Sequence, residues 1–522
     1  MTEIAQAPTP ETDQPWSRLD KRMLLVHPVT EVVKFIPVLI GSVILGTSSG
    51  NHIWSVIPLV AIVGFALTRW FTTAYRVGPT HVELRTGLIQ RKKLSVPRSR
   101  IRSVDIEADL LHRVLGLAVL AIGTGQQADS GEKFELDALD ARLVPELRAA
   151  LLAHTAQATP TDATHDEGGQ QLPSDAAATA PPDAREIAHW QPQWVRYAPL
   201  SLTGFAIIAP IVGVAFQYGV GQLLFRSDTV RRFENGGALV LAVGVFALVV
   251  LVVAVVSLAA CARYLTTYFG LRVLDDGRTL HLRHGLFTTR QITLDLARFR
   301  GATVNEPLLL RSAGAAELEA IMVGENPRQK ILPQAPRAAI EHTLGHLLAR
   351  NNFADKAIGT PETGAADPGN APLRPHGPIA RRRRYTRALA PVAVLALGMA
   401  VAASAGVRIS PWWWLVPVSL ALLAIPLARD RYRGLGHTVL PQTASSPTWL
   451  ITRSGSLDRD RDCLEAPGVI GWTVRQSFFQ RRAGVATVVA ATAAGKKRYH
   501  VIDIPIEQAW SLIEAVTPGR LG

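Results

Sequence analysis

Several residue groupings in this 522-residue chain have the types that catalysis or metal binding requires, and their spacing decides what each can do. Gly46-Thr-Ser-Ser-Gly50 has the G-x-S-x-G pattern of a nucleophilic serine, but it follows an apolar segment instead of joining a strand to a helix. His342 and His346 would share a helix face as a zinc pair, yet Thr343 stands where the water-activating glutamate belongs and no third ligand is evident. Asp458-Arg-Asp-Arg-Asp462 begins like a calcium loop, but Cys463 replaces the required glycine and Val469 the terminal glutamate. Gly123-Thr-Gly125 lacks the third glycine and the following helix of a dinucleotide site. No serine, cysteine or carboxylate constellation recurs. The pattern argues against an enzyme, with no catalytic, metal-ligating or cofactor-binding residue to name.

Basic residues carry the remaining chemistry. Arg98, Arg100 and Arg102 alternate, so on a strand they would share one face. With Arg91, Lys92 and Lys93 they form a candidate surface for the phosphates of lipid headgroups or for a protein partner. The same charges also satisfy the positive flank expected at the cytoplasmic end of a membrane span. A formal net charge of +13 implies an anionic partner. No RNA-binding aromatic signature and no zinc-finger spacing supports nucleic acid. The two cysteines, Cys261 and Cys463, exclude a disulfide framework.

The elements that would position these residues come in threes. Arg85, Gly87, Arg113 and Gly116 return at the same spacing as Arg283, Gly285, Arg311 and Gly314, and again as Arg453, Gly455, Arg481 and Gly484. Each copy reads as strand, polar turn, one helical turn ended by glycine, then another strand. Arg113, Arg311 and Arg481 fall in that last helical turn, where a cation suits the dipole and the free carbonyls. Gly116, Gly314 and Gly484 are then the left-handed residues just beyond it. Alternations such as His81-Val-Glu-Leu-Arg85 and Thr279-Leu-His-Leu-Arg283 predict strands closed by a glycine turn. Apolar residues three and four apart over 142–154, 335–348 and 506–516 predict an amphipathic helix at the end of each copy.

Six apolar segments precede the copies in pairs: 33–48 with 53–70, 199–220 with 237–261, and 388–407 with 412–428. A helix needs about 20 residues to cross the hydrocarbon core, so the first of these is marginal. Hydrophobic residues make up 48% and charged residues 19% of the chain, which fits a mixture of spans and soluble domains. Arg18, Lys21, Arg22 and Lys34 precede the first segment, Arg381-Arg-Arg-Arg384 the fifth, and Arg429, Arg431 and Arg433 follow the sixth. These cations put both termini and all three copies in the cytoplasm, although Arg226, Arg231 and Arg232 dissent. The expected organisation is a tail at 1–28, transmembrane hairpins at 29–71, 191–263 and 381–430, and soluble domains at 72–154, 264–350 and 431–522, the last divergent. Linkers at 155–190 and 351–380 are poor in large apolar residues and would let the copies move.

Pro97, Arg100, Ile101, Val104, Arg113 and Gly116 follow the proline-x-x-arginine-isoleucine-x-x-valine and arginine-x-x-glycine signature. On these residues the chain resembles the bacterial pleckstrin-homology-like (PH-like) domains of the YdbS/YdbT-like membrane proteins. The second copy matches in part, with Asp295 and Phe299 in place of the proline and isoleucine, and the third keeps its glycines and arginines. The resemblance implies an α+β membrane protein: six transmembrane helices in three hairpins, each followed by a cytoplasmic PH-like β-sandwich or barrel with a C-terminal helix. It implies a noncatalytic, multi-pass protein of the cell (inner) membrane, without cofactor, that serves as a scaffold for a protein partner or for lipid headgroups of the anionic inner leaflet. The alternative is a transporter or export component, or a factor in envelope stress and resistance to membrane-active peptides. The implied protein partner is a smaller PH-like-domain membrane protein, or a second copy of the chain.

Overall fold

The structure, a computed structural model, describes residues 16–35, 53–78, 80–87, 91–98, 103–123, 134–144, 185–201, 237–324, 328–349, 368–443 and 447–519, with a few isolated positions besides. The predicted apolar segments 33–48 and 199–220 lie largely outside the described residues, as do most of the two linkers and the end of the helix expected at 142–154. Two compact units divide the chain: Met1–His189 with Thr266–Ala297, and Trp190–Leu265 with Arg298–Gly522. The division falls inside the second copy of the repeat.

In the first unit, helices α1 (Met23–Lys34) and α2 (Ile53–Thr72) accompany a four-stranded sheet. Its order is β1 (Ser17–Arg18), β2 (Ala74–Val77), β3 (His81–Thr86), β4 (Lys92–Pro97). Next come β5 (Ser103–Ala108), the short helix α3 (Leu110–Leu115), β6 (Leu117–Gly123), β7 (Phe134–Asp140) and β8 (Arg185–His189). The second copy supplies β9 (Arg272–Asp275), β10 (Thr279–His284) and β11 (Thr289–Asp295). Strands β5 to β11 form one antiparallel sheet of seven, ordered β7-β6-β5-β11-β10-β9-β8. Val82, Leu84 and Val96 of the smaller sheet pack on Val104, Leu120, Ile122 and Leu136 of the larger. Each such aliphatic contributes about 1.5–3 kcal/mol by leaving water, so this sandwich holds most of the unit's stability. A smaller cluster of Leu19, Met23, Val26, Trp70 and Leu117 ties α1 and the end of α2 to it, with Trp70 Nε1 donating to Asp20 O at 3.1 Å.

Reversing direction between α3 and β6 in one residue demands a left-handed backbone. Gly116 supplies it at φ 69°, its N–H donating to Arg113 O, and Gly314 and Gly484 take φ 70° and 66°. The glycines that close the hairpins, Gly87, Gly285 and Gly455, lie at φ 110°, 118° and 104°.

Most of helix α4 (Gly237–Tyr268) belongs to the second unit, followed by β12 (Phe299–Asn305), α5 (Leu308–Ser312), β13 (Ala315–Met322), β14 (Arg328–Pro336) and α6 (Arg337–Ala349). Then come α7 (Gly377–Ser404) and α8 (Leu415–Arg433). The third copy comprises β15 (Gly436–Leu440), β16 (Trp449–Gly455), β17 (Arg459–Glu465), β18 (Val469–Arg475), α9 (Phe478–Arg482), β19 (Val485–Thr492), β20 (Arg498–Pro505) and α10 (Ile506–Val516). One sheet has six strands, β14-β13-β12-β17-β16-β15, and the other three, β18-β19-β20. Ala509, Leu512, Ile513 and Val516 recur at three and four along α10 and seal the core of Leu450, Leu464, Val488, Val501 and Ile504 between them.

Among the described residues three helices are long and apolar enough to cross a membrane: Ala242–Tyr268, Gly377–Ser404 and Pro411–Arg433. At 1.5 Å per residue the 27 residues of Ala242–Tyr268 reach about 40 Å, beyond the roughly 30 Å of a hydrocarbon core. Their side chains stay exposed, as at Phe246, Leu258, Leu397 and Leu422, which water would not tolerate over such lengths. Helix α2 carries a shorter apolar stretch, Val56–Thr72.

One expectation is overturned. Linkers were to leave the copies free to move, yet β5 of the first copy ladders with β11 of the second, and β12 of the second with β17 of the third. Backbone hydrogen bonding continues across each junction, so neighbouring copies share a sheet. Pattern within one copy cannot reveal this, because a strand paired on one side or on both can carry the same alternation.

Candidate functional site

Of the basic surface expected from sequence, β4 exposes Lys92 and Lys93, and Lys93 Nζ is held 2.7 Å from Glu83 Oε1. Arg76 pairs with the same carboxylate. Arg98 does not lie on a strand. Its N–H donates to Thr80 O at 2.8 Å, and its carbonyl accepts from Ile101 N at 3.1 Å, so the chain turns there. The physical reason is that β4 and β5 belong to different sheets, and the crossing drives Ile101 into the core at 1% exposure. Phe299 and Val469 are buried in the corresponding places, each after a turn of 3-10 helix, Leu296–Arg298 or Ala466–Gly468. Arg91 is exposed, while Arg100 and Arg102 lie outside the described residues.

The repeated arginines bind across copies. Arg113 Nη1 donates to Leu286 O at 3.2 Å, and Arg311 Nη1 to Ser456 O at 3.4 Å. Leu286 and Ser456 each follow the hairpin glycine of the next copy, Gly285 or Gly455. Arg311 also holds Asp430 of α8 at 3.0 Å, joined there by Arg459 at 2.9 Å and by Ser456 Oγ at 2.9 Å. The sequence had these guanidinium groups serving their own helix ends; they clamp the neighbour's turn instead, because the strand junction brings that turn beside the helix. The other repeated arginines diverge. Arg85 stacks on Trp16 at 3.9 Å, Arg453 Nη2 donates to Arg433 O at 3.0 Å at the end of α8, and Arg283 is exposed on β10.

A second concentration of charge lies at the arginine-bearing end of α7. Asp503 is fully buried in β20 at φ 60°. Arg383 Nε approaches its Oδ1 at 3.2 Å and Arg384 Nη2 its Oδ2 at 3.0 Å, while Gln480 of α9 donates to Oδ1 at 2.7 Å. Beside this knot a cleft of about 730 Å³ is lined by Arg382, Arg383, Arg387, Phe479 and Arg482 among others. Nη2 of Arg383 is buried there without a hydrogen-bond partner among the described residues. Two histidines complete the foot of the helix. His376 Nδ1 donates to Ile502 O at 2.7 Å, which leaves its Nε2 to accept from His437 Nδ1 at 2.9 Å. Such a chain requires His376 to be neutral, because a doubly protonated ring there could not accept. Among the described residues no three His, Cys, Asp or Glu side chains converge to hold a metal ion.

A family model described as bacterial PH domain matches the chain three times, at residues 30–155, 233–348 and 389–518, well over half its length. The chain belongs to the bacterial PH domain family. No curated protein and no solved structure matches it. Each match includes an apolar segment together with the sandwich strands that follow, so apolar helix and PH repeat form one unit of sequence.

The carboxylate and histidines at the third PH repeat were not among the residues singled out from sequence. One signal existed: Asp503 is a lone acid in the apolar strand Val501-Ile-Asp-Ile504, where an acid needs buried cations. Nothing near His376 or His437 marks them as partners. Burial, then the neighbouring charge of Arg384, lowers the pKa of His376. Burial, His376 and Arg374 push His437 down to about 4. A depressed histidine pKa stabilises the fold above the unfolded value near 6.5 and loses that contribution as pH falls toward 4. His437 should therefore cost the protein about 2 kcal/mol between pH 7 and pH 5. Asp462 titrates in the opposite sense, because burial pushes its carboxyl up to about 6 despite Lys496. The comparison that isolates the histidines is wild type against His437→Asn. The variant should lose less thermal stability on acidification, and parallel melting curves would remove the pair from the account.

Proposed function

We propose that the protein is a noncatalytic scaffold of the cell membrane, which holds its PH repeats against the anionic inner leaflet and engages headgroup phosphates there. The signature Pro97, Arg100, Ile101, Val104 supports a place among the YdbS/YdbT-like members of the family. The observation that carries the reading is the basic cleft at the foot of α7. Arg382, Arg387 and Arg482 are exposed around it, and α7 carries no charged or polar side chain from Ala388 to Ala403. In a bilayer, arginines at that end of a span belong at headgroup level, where each contributes about 1 kcal/mol toward anionic lipid. The shared sheets support scaffolding, since they fix the spacing between successive docking surfaces. Six spans in three hairpins, with both termini and all repeats cytoplasmic, complete the proposal.

Reporter fusions test it. Fusions after Gly131, Asn326 and Gly495 should register cytoplasmic, and those at Gly50 and Asn235 external. An external signal from any PH repeat would break the three-hairpin arrangement.

A further inference from the structure

The interface that joins one PH repeat to the next is built twice within the chain and, among the described residues, left open a third time. At the first junction Glu107 of β5 lies opposite Arg290 of β11, and the two form an ion pair. At the second, Asn305 of β12 lies opposite Asp460 of β17, donating to it at 3.0 Å. By the repeat spacing, β18 is the third copy's counterpart of β5 and β12. Among the described residues β18 ladders with β19 alone. Thr303 in the middle of β12 is 1% exposed, whereas Thr473 at the same place in β18 is exposed. Arg481 corresponds to Arg113 and Arg311, which grip the next repeat's turn; it is exposed, and its guanidinium makes no hydrogen bond among the described residues. Strand, clamp and side-chain position are thus all prepared for a further repeat.

Charge says whose repeat that is. Position for position, the counterpart of Glu107 and Asn305, which face Arg290 and Asp460, is Arg475 in the third copy. The chain's own strand of the docking type is β4, last in its sheet, and the residue it would set against Arg475 is Lys92. Like charges directly opposite on paired strands repel. A second copy is therefore disfavoured, and an acid at the place of Lys92 would be matched.

We infer that the outer edge of β18 receives a PH-like first-sheet strand from a different chain, one carrying an acidic residue opposite Arg475 and offering a hairpin-turn carbonyl to Arg481. Addition of a strand to an open edge provides the affinity through backbone bonds, and the charged pair provides the choice of partner. The inference rests on the scaffold reading only for the existence of a partner; the fusion reporters can fail without touching it, and the converse holds.

Charge exchange tests it with the full chain in detergent, followed by sedimentation or native mass spectrometry at low salt. Lys92→Glu supplies the acidic strand, so that chain is itself the probe. Mixed with wild type or alone, it should associate head to tail roughly tenfold more tightly than wild type does with itself. Arg475→Glu, which sets an acid against Lys92, should do the same by the opposite exchange. The double variant, with two acids facing, should return to the wild-type level. Both substituted side chains are exposed, and unchanged melting would show that each variant folds. Single variants no stickier than wild type would overturn the inference. So would a wild type that already self-associates and loses this on blocking β18 with Thr473→Pro, since the occupant would then be a second copy.

Discussion

Gly301→Ala should destabilise the second unit by about 3 kcal/mol or more, a loss at the top of the range for single substitutions. At Gly301 the strand β12 carries a bulge, φ is 146°, and the register jumps between Phe299 and Gly301. A Cβ there would stand 2.0 Å from Cys463 O, a backbone atom of β17 that cannot step aside without breaking the ladder. The substitution thus strikes the junction between the second and third repeats at its closest point. Gly314→Ala offers the contrast. It also has positive φ, at 70°, but meets nothing within 4 Å, so only the left-handed backbone is strained, a cost of about 1 kcal/mol. Equal losses in thermal or denaturant unfolding would mean that the close approach at Gly301 does not matter.

Asp503→Asn should cost about 3 kcal/mol, because it leaves Arg383 and Arg384 buried without their counter-charge. Asparagine is the right probe, since it tolerates the left-handed backbone at φ 60° and can keep a hydrogen bond to Gln480. What remains lost is the charge. Adding Arg383→Met and Arg384→Met should recover most of the stability, as the remaining groups no longer carry unpaired charge in a dry site. If Asp503→Asn melts like wild type, the knot does not hold α7 to β20.

Much of this architecture was legible in the residues. The alternation of His81-Val-Glu-Leu-Arg85 and Thr279-Leu-His-Leu-Arg283 became β3 and β10, and the spacing of Ile506 to Val516 became α10. Glycine at 116, 314 and 484 marked the left-handed turns, since few other residues take positive φ without strain. Apolar runs of sufficient length gave α4, α7 and α8. The junctions were not legible, because whether β5 and β12 end a sheet or continue into another copy depends on contacts distant in sequence. For the same reason Arg113 and Arg311 were placed at their own helix ends and not on the next repeat's turn. Arg383 and Arg384 read as a membrane flank, since a run of four arginines looks the same whether two of them are solvated or buried. Only the register of β20 brings Asp503 beneath them.

Amide hydrogen exchange of the full chain tests most directly whether the PH repeats are joined strand to strand. A strand paired on both sides exchanges through opening of the sheet, whereas an edge strand exposes half its amides to water. The shared sheets predict that β12 and β17 exchange as slowly as β13 and β16, and β5 and β11 as slowly as β6 and β10, with β18 faster than β19. Rapid exchange along β12 and β17, at the rate of β18, would show that the repeats hang separately and would contradict the account.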